Sequence, residues 1–428
     1  MSKKMFHLIS LLLIAAFVLA ACQPAATATP AAATKAPAAT SAPAATTAPK
    51  ATKITIWYQW DDTYLPAIKE AFKAYETSHP GVTIELSKPE KVTEALAVAI
   101  PAGQGPDIIA WANDAIGEQA IKGNIVPLND YKVDDAFLKG IYTSAGIAGV
   151  TYKGKIWGLP ETMEGIALVA NKAVWKDSYA PKDMNDWDGL LKAAEQFQKD
   201  NPGKTLFCNQ GFPGGDAYHI APVFFGNGVP SYVDENGKVY LNTPEAIKAM
   251  TWLQNVSKFL AKEQTDDICR AALKEGKTAA QWTGPWAIKG FEDAKIDYTI
   301  IPMGKPFVGI KTVLLTKNAV DRKNAEVAVD IMKYYTSADV QKKIALTNKV
   351  IPAQTAALND PEVAKLTAVA GFGKALATGI PMSNSPYASA QWGPVGDAVK
   401  VIWTAAQKPE DALKAAQGLV EKAISEMK

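Results

Sequence analysis

Between residues 53 and 111 the apolar positions switch repeatedly between a period of two and a period near 3.6, and this alternation restricts the fold more than any other feature. Lys53-Ile54-Thr55-Ile56-Trp57 alternates apolar with polar side chains, as a half-buried strand does. Leu65, Ile68, Phe72 and Tyr75 then recur at helical spacing, and His79-Pro80-Gly81 stops the helix. Residues 82–86 read as a second strand, 92–100 as a second helix and 107–111 as a third strand. The third, Asp107-Ile108-Ile109-Ala110-Trp111, follows a Gly-Pro turn and is apolar on both faces, as buried parallel strands are. Strand–helix–strand–helix–strand in this order predicts a doubly wound α/β layer.

In open α/β sheets, ligands sit at the carboxyl ends of strands. Gln59, Trp60, Asp61 and Asp62 follow the first strand; Trp111, Asn113 and Asp114 close or follow the third. The same residues also read as a core Trp and a helix cap. Further on, residues 152–160 form a hairpin pattern leading into Glu161-Thr162-Met163-Glu164, and 166–170 read as a buried strand with a crossing between lobes just before it. A helix over 188–199 and a Gly/aromatic loop over 211–218, carrying Asp216 and Tyr218, come next. Thr243 caps a helix with Pro244 in its first turn and Ile247, Met250, Leu253 and Val256 as its stripe. Thr283-Gly284-Pro285-Trp286 is a turn presenting an indole, and 305–315 read as a crossing back. Two amphipathic helices, 325–335 and 338–346, follow; beyond Pro361 the chain is helical, with breaks at 381–386 and at Gly393-Pro394 beside Trp392.

At 428 residues the chain exceeds one small core, so two lobes are expected. Lys3 and Lys4 precede an apolar run, 8–21, ending Leu19-Ala20-Ala21-Cys22, which resembles the lipobox of bacterial lipoprotein signal peptides. That resemblance implies export, cleavage before Cys22 and lipid on Cys22, which anchors a protein without spanning the bilayer. Residues 22–52 are rich in Ala, Thr and Pro and lack aromatic residues, the composition of a disordered tether. Loss of residues 1–21 removes two Lys and leaves 43 basic residues against 43 acidic ones. A neutral chain argues against nucleic acid as partner. Cys208 and Cys269 remain and read equally as an exported disulfide or as two buried thiols. Three His and no metal-type spacing leave no His-based metal or catalytic site, and no cofactor motif is present.

Trp60, Asp61, Trp111, Asp114, Glu164, Asp216, Tyr218, Trp286 and Trp392 thus fall at predicted strand ends and turns, far apart in the chain. An indole face covers the apolar C–H face of a sugar ring, and a carboxylate accepts from its hydroxyls. Interleaved Trp and Asp/Glu suit a neutral polyol. Trp57, Trp187 and Trp252 are the expected core tryptophans.

Residues 53–428 resemble the extracellular solute-binding proteins of sugar ABC transporters, in particular the maltose/maltodextrin-binding branch. The resemblance rests on Ile54-Thr55-Ile56-Trp57, on 105–111 with Asp114, on Gly284-Pro285-Trp286 and on 305–309, supported by the 154–160 hairpin and Val350-Ile351-Pro352-Ala353. It implies an α/β, two-lobe periplasmic-binding-protein-like fold: a first lobe of 53–161 plus 312–360 and a second of 162–311 plus 361–428. It also implies a monomer without enzymatic activity, lipid-anchored on the outer face of the cytoplasmic membrane. Such a protein captures an oligosaccharide and delivers it to a permease driven by an ATPase. By position, Asp61, Trp111, Asp114 and Glu164 match sugar-contacting residues and Gln59 stands where that branch has an asparagine, while Tyr218, Trp286 and Trp392 match stacking residues, with Asp216 beside them. Three cations of that branch are missing: Asp62, Ala115 and Gly396 stand at their positions. Alternatives are another oligosaccharide, a glycerol phosphate or a polyamine in the same fold, or an anchored glycoside hydrolase using Glu161 and Glu164 or Asp61 and Asp62.

Overall fold

The computed structural model describes residues 51–427; the expected signal peptide, lipidation site at Cys22 and tether up to residue 50 lie outside the described residues. The chain opens with β1 (Thr52–Tyr58), α1 (Leu65–Ser78), β2 (Val82–Ser87), α2 (Val92–Ala99) and β3 (Ile108–Ala112). β1 lies between β2 and β3 and is parallel to both, with Ile56 opposite Leu86 on one side and Ile108 on the other. Ile54 and Ile56 go to the core because alternate residues of a strand share a face. Asp107 is buried for a structural reason. It accepts from Thr55 N and Oγ1 (2.8 and 3.0 Å), which fastens β1 to the entry of β3, and Arg322 and Asn324 satisfy its other oxygen.

β4 (Gly158–Glu164) and β5 (Ala167–Asn171) follow the hairpin of Thr151–Tyr152 and Lys155–Ile156. Next come α3 (Trp187–Asp200), β6 (Thr205–Cys208), α4 (Ala217–Gly226), α5 (Pro244–Val256), α6 (Asp266–Lys274), β7 (Thr278–Thr283), β8 (Tyr298–Ile301) and β9 (Phe307–Leu315). Then follow, with several shorter helical turns between them, α7 (Ala325–Tyr335), α8 (Ala338–Asn348), β10 (Ile351–Pro352), α9 (Thr367–Leu376), β11 (Ile380–Pro381), α10 (Trp392–Trp403) and α11 (Pro409–Glu426). Two sheets result, giving an α/β fold of two lobes. The larger runs β10-β4-β9-β3-β1-β2 with β11 beside β9, and the smaller β8-β5-β7-β6. β9 runs antiparallel to both β3 and β4, so the larger sheet is mixed. Among the described residues no helix is long and apolar enough to cross a membrane.

Local sequence explains most element ends. Thr243 Oγ1 accepts from Ala246 N (3.2 Å) and Pro244 opens α5, whose Met250, Leu253 and Val256 are buried while Ile247 is only half-buried. Two expectations fail. Gly393-Pro394 does not break the chain but lies in the first turn of α10, where a Pro leaves no intrahelical hydrogen bond unmade. Residues 211–218 are not a plain loop: Gly211–Gly214 make one helical turn, and Asp216 caps α4 by accepting from Tyr218 N and His219 N. Trp187 and Trp252 are core residues, as expected, but Trp57 is half-buried at the edge of a smaller cluster.

Asn113 joins the larger sheet to the chain that leads into the C-terminal helices. Fully buried, it accepts from Ile310 N (2.9 Å) and donates to the Met382 carbonyl (2.8 Å) and to Asn384 Oδ1 (2.7 Å). In the smaller-sheet lobe Cys208 and Cys269 form a disulfide between the end of β6 and α6, closing the open alternative of free thiols. It closes a loop of 61 residues in sequence separation. Restricting such a loop in the unfolded chain stabilises the fold by about 4 kcal/mol. C208S/C269S is therefore expected to melt several degrees below wild type by circular dichroism, and an unchanged melting temperature would exclude that contribution.

Candidate ligand-binding cleft

A cleft of about 630 Å³ is lined from both lobes. From the larger sheet come Gln59, Trp60 and Asp61 after β1, Trp111 and Asp114 at the end of β3, Glu161 and Glu164 on β4, and Lys311 on β9. From the smaller-sheet side come Gln210, Asp216, Tyr218, His219, Arg270 and Trp286, with Trp392 from the start of α10. Ten of the eleven residues expected at the site thus line one space. Asp62 does not: it is exposed and takes a 2.8 Å hydrogen bond from Lys88 at the rim.

The aromatic residues are set by a shared core. Phe307 stacks on Tyr218 (ring centroids 6.0 Å) and meets Trp392 edge-on (5.7 Å), while Tyr218 lies 6.2 Å from Trp286. Tyr218, Trp286 and Trp392 are half-buried, each with one part packed and one part facing the cleft. Trp60 differs, being 3% exposed. Its indole N–H donates to Glu161 Oε2 (2.9 Å), and its ring packs among Tyr58, Phe72 and Tyr335, so it forms the cleft floor rather than a free stacking face.

Each carboxylate of the cleft has a partner, as carboxylates withdrawn from water require. Asp61 accepts from Thr63 through Oδ1 and from Arg270 Nη2 through Oδ2 (3.0 Å). Burial pushes the Asp114 carboxyl up, opposed by Lys311 and by a hydrogen bond from Trp392. Burial raises Glu164 likewise, with Lys311 Nζ 3.7 Å away. Burial also opposes ionisation of Asp216. Attraction to His219 and hydrogen bonds from His219 and Gln210 nevertheless hold its carboxyl well below the usual range. His219 Nδ1 lies 2.7 Å from Asp216 Oδ2, which leaves Nε2 buried in the cleft. Tyr64 Oη, Gln210 Oε1, Tyr218 Oη and His219 Nε2 have no hydrogen-bond partner among the described residues, and all four side chains line the cleft. No group of three His, Cys, Asp or Glu among the described residues could hold a metal ion.

The cations missing by sequence position enter from elsewhere. Lys88, just after β2, bonds Asp62 and the Trp60 carbonyl (3.0 Å). Lys311 sits opposite Ala112 in the β9–β3 register, donates to Gln59 Oε1 (2.7 Å), and lies near Asp114, Glu161 and Glu164. Arg270 comes from α6. Sequence reasoning missed all three, together with Tyr64, Gln210 and His219. Only Lys311 carried a signal, as the single charge within an otherwise apolar strand. Gly396 stands where it does for packing reasons: a Cβ there would overlap the Gly215 carbonyl oxygen, so no side chain fits.

Glu161 is the most enclosed acid of the set, with Oε1 accepting from Tyr335 Oη (2.6 Å). Burial pushes its carboxyl up to about 7, against the hydrogen bonds from Tyr335 and Trp60, which favour ionisation. The folded protein holds this proton more tightly than the unfolded chain, whose carboxyl titrates near 4.5. Stability linked to Glu161 is therefore complete below the lower value and is lost as pH rises through about 7. In denaturation experiments, the stability difference between wild type and E161Q should move in favour of E161Q by about 3 kcal/mol from roughly pH 4 to pH 8. A pH-independent difference would show that Glu161 does not titrate in this window.

Comparison with known proteins agrees with this geometry. Residues 70–371 match the family described as "Bacterial extracellular solute-binding protein". A maltotriose-binding protein of Pyrococcus abyssi is 29% identical over 363 residues, 82% of this chain and 77% of that protein. A galactooligosaccharide-binding protein of Bacillus subtilis is 26% identical, over 81% of this chain and 84% of that protein. A maltooligosaccharide ABC transporter solute-binding lipoprotein of Streptococcus pneumoniae is 27% identical, over 84% and 86%. The maltotriose-binding protein of Thermus thermophilus, solved with maltotriose, shares the fold with a TM-score of 0.75 at 24% identity, covering 87% of this chain and all of that one. The family match spans well over half the chain, and the chain belongs to the bacterial extracellular solute-binding proteins.

Proposed function

We propose that this protein is an ABC-transporter binding protein that encloses a neutral oligosaccharide of the maltodextrin type between its lobes and passes it to a membrane permease, without transforming it. The observation that carries the reading is the pairing of half-buried Trp and Tyr faces with four unpartnered polar atoms around one interlobe cleft. Stacking faces suit the C–H faces of pyranose rings, and the polar atoms suit their hydroxyls. The relatives from Pyrococcus and Streptococcus, a maltotriose-binding and a maltooligosaccharide-binding protein, support the same ligand class. The ligand-binding set is Gln59, Trp60, Asp61, Trp111, Asp114, Glu164, Asp216, Tyr218, Trp286 and Trp392, with Asp62 at the rim. Its lobes are residues 53–161 plus 312–360 and 162–311 plus 361–428, and the protein acts as a monomer held at the outer membrane face by lipid on Cys22. Binding shifts the lobes toward the closed arrangement because the ligand contacts both.

The alternatives fit the cleft less well. A polyamine needs unpaired acids, but Asp61 is bonded to Arg270, Asp62 to Lys88, and Lys311 lies beside Asp114 and Glu164. A phosphate needs free cations, and these three are engaged by the same acids. A hydrolase needs one carboxyl able to deliver a proton to a glycosidic oxygen. Both Glu161 oxygens instead accept from Trp60 and Tyr335.

Intrinsic tryptophan fluorescence of the purified protein should titrate saturably with maltotriose at micromolar concentration, roughly −8 kcal/mol. It should stay silent with spermidine and glycerol 3-phosphate. A response to a galactooligosaccharide, cellobiose or xylobiose with none to maltose, maltotriose or a cyclodextrin would move the ligand to another sugar class and keep the binding function. Trp286→Ala is expected to weaken sugar binding by about 1–3 kcal/mol, the size of other aromatic stacking losses. Unchanged affinity in isothermal titration calorimetry would remove Trp286 from the site.

A further inference from the structure

Arg270 arises from α6 in the smaller-sheet lobe, and its side chain is 15% exposed within the cleft wall. Its Nε donates to Asp266 Oδ2 (2.7 Å) on its own helix, and its Nη2 donates to Asp61 Oδ2 (3.0 Å) at the end of β1 in the other lobe. Asp266 is itself held, since its Oδ1 accepts from Gln281 Nε2 (3.1 Å) on β7. Asp61 is held on the opposite edge, its Oδ1 taking both the amide and the hydroxyl of Thr63 (2.9 and 2.7 Å). The neighbouring Cys269 ties this stretch of α6 to the end of β6, one residue before the segment that carries Gln210 and Asp216. A guanidinium is planar and has five N–H groups. Two are committed to carboxylates, through Nε and Nη2, and the Nη1 group takes part in neither contact. A Cβ on Gly290, four residues after Trp286, would lie 3.9 Å from Nη1, and both Arg270 and Trp286 line the cleft.

Resting on the oligosaccharide reading, we propose that Arg270 is a specificity-determining residue of the cleft that donates its free N–H groups to ligand hydroxyls, and that Asp61 and Asp266 are positioning residues that aim its guanidinium. Within the ligand-binding set, Asp61 then acts through Arg270. Both of its oxygens are already engaged, and an Arg locked on two edges loses little side-chain entropy on binding. The arrangement also selects charge. With a carboxylate on each of two edges the guanidinium offers directional donors without a net positive site, which favours hydroxyls over phosphate or carboxylate ligands.

Maltotriose and a set of its monodeoxy analogues, titrated by calorimetry against wild type, R270M, R270K and D266N, test this. R270M should lose at least about tenfold in maltotriose affinity, the loss of a charge-assisted hydrogen bond. R270K keeps a charge between the two carboxylates, so it maintains the lobe contact if R270M folds poorly; it should also bind more weakly than wild type, because an ammonium cannot reproduce the fork. D266N, which releases one edge of the guanidinium, should show a smaller loss of maltotriose affinity than R270M. The decisive readout is coupling: at least one deoxy analogue should bind wild type more weakly than maltotriose does, yet bind R270M no more weakly than maltotriose does. Equal affinity of wild type and R270K for maltotriose, or equal losses for every analogue in wild type and variants, overturns the assignment. A wild type that binds no sugar of the panel overturns the oligosaccharide reading and the assignment with it, so the two failures are distinguishable.

Discussion

Six carboxylates, Asp61, Asp114, Glu161, Glu164, Asp216 and Asp266, line one cleft, and acids gathered this closely and partly withdrawn from water each need a partner. The surrounding structure meets this requirement with specific partners. Arg270 spans Asp266 and Asp61, Lys311 lies near Asp114, Glu161 and Glu164, and His219 engages Asp216. Several of these partners arrive from a different element, and the Arg270–Asp61 pair joins segments 209 residues apart. Most of these pairs lie within one lobe, and the Arg270–Asp61 pair is the one among them that links the two across the cleft. Removing one partner would leave a charge uncompensated, which costs more than the pair contributes when intact.

Much of the fold was legible because it depends on short-range pattern. The period switches over 53–111 mark the three parallel strands and two helices, and Thr243-Pro244 marks the start of α5 to the residue. The aromatic half of the site was legible for a related reason: indoles at strand ends and Gly-Pro turns have few structural excuses. The failures have a common cause. Pro394 lies in the first turn of a helix, the one helical setting where Pro is tolerated, and a linear reading treats it as a stop. Asp216 is both a helix cap and a cleft residue, which a loop reading hides.

The cationic half of the site was not legible, because charge pairing is settled in three dimensions. Arg270 sits on a helix whose sequence, Asp266-Asp267-Ile268-Cys269-Arg270, reads as an ordinary amphipathic segment with an i,i+4 ion pair on a solvated face. Only the packing of α6 on β7 and its disulfide to the end of β6 turn that face into a cleft wall. Lys88 likewise reads as a surface lysine until β2 is placed beside β1. Position-by-position matching to the maltodextrin branch finds three cations absent at 62, 115 and 396. Three different cations nevertheless stand in or at the rim of the cleft, contributed by β9, α6 and the end of β2.

Gly396 shows why such a relocation is physically forced at one position. Its α10 backbone approaches Gly215 too closely for any side chain, and Gly215, with a φ of 70°, adopts the left-handed conformation that glycine accepts most readily. Gly215 in turn precedes the Asp216 cap, whose side chain fixes His219 and so the buried Nε2 in the cleft. A longer residue at 396 would push this segment away and displace the Asp216–His219 pair. Close packing of α10 therefore positions one polar edge of the site and at the same time removes the space an arginine would occupy. On the smaller-sheet side the cation that lines the cleft comes instead from α6, which its disulfide fixes to the end of β6 on the same lobe.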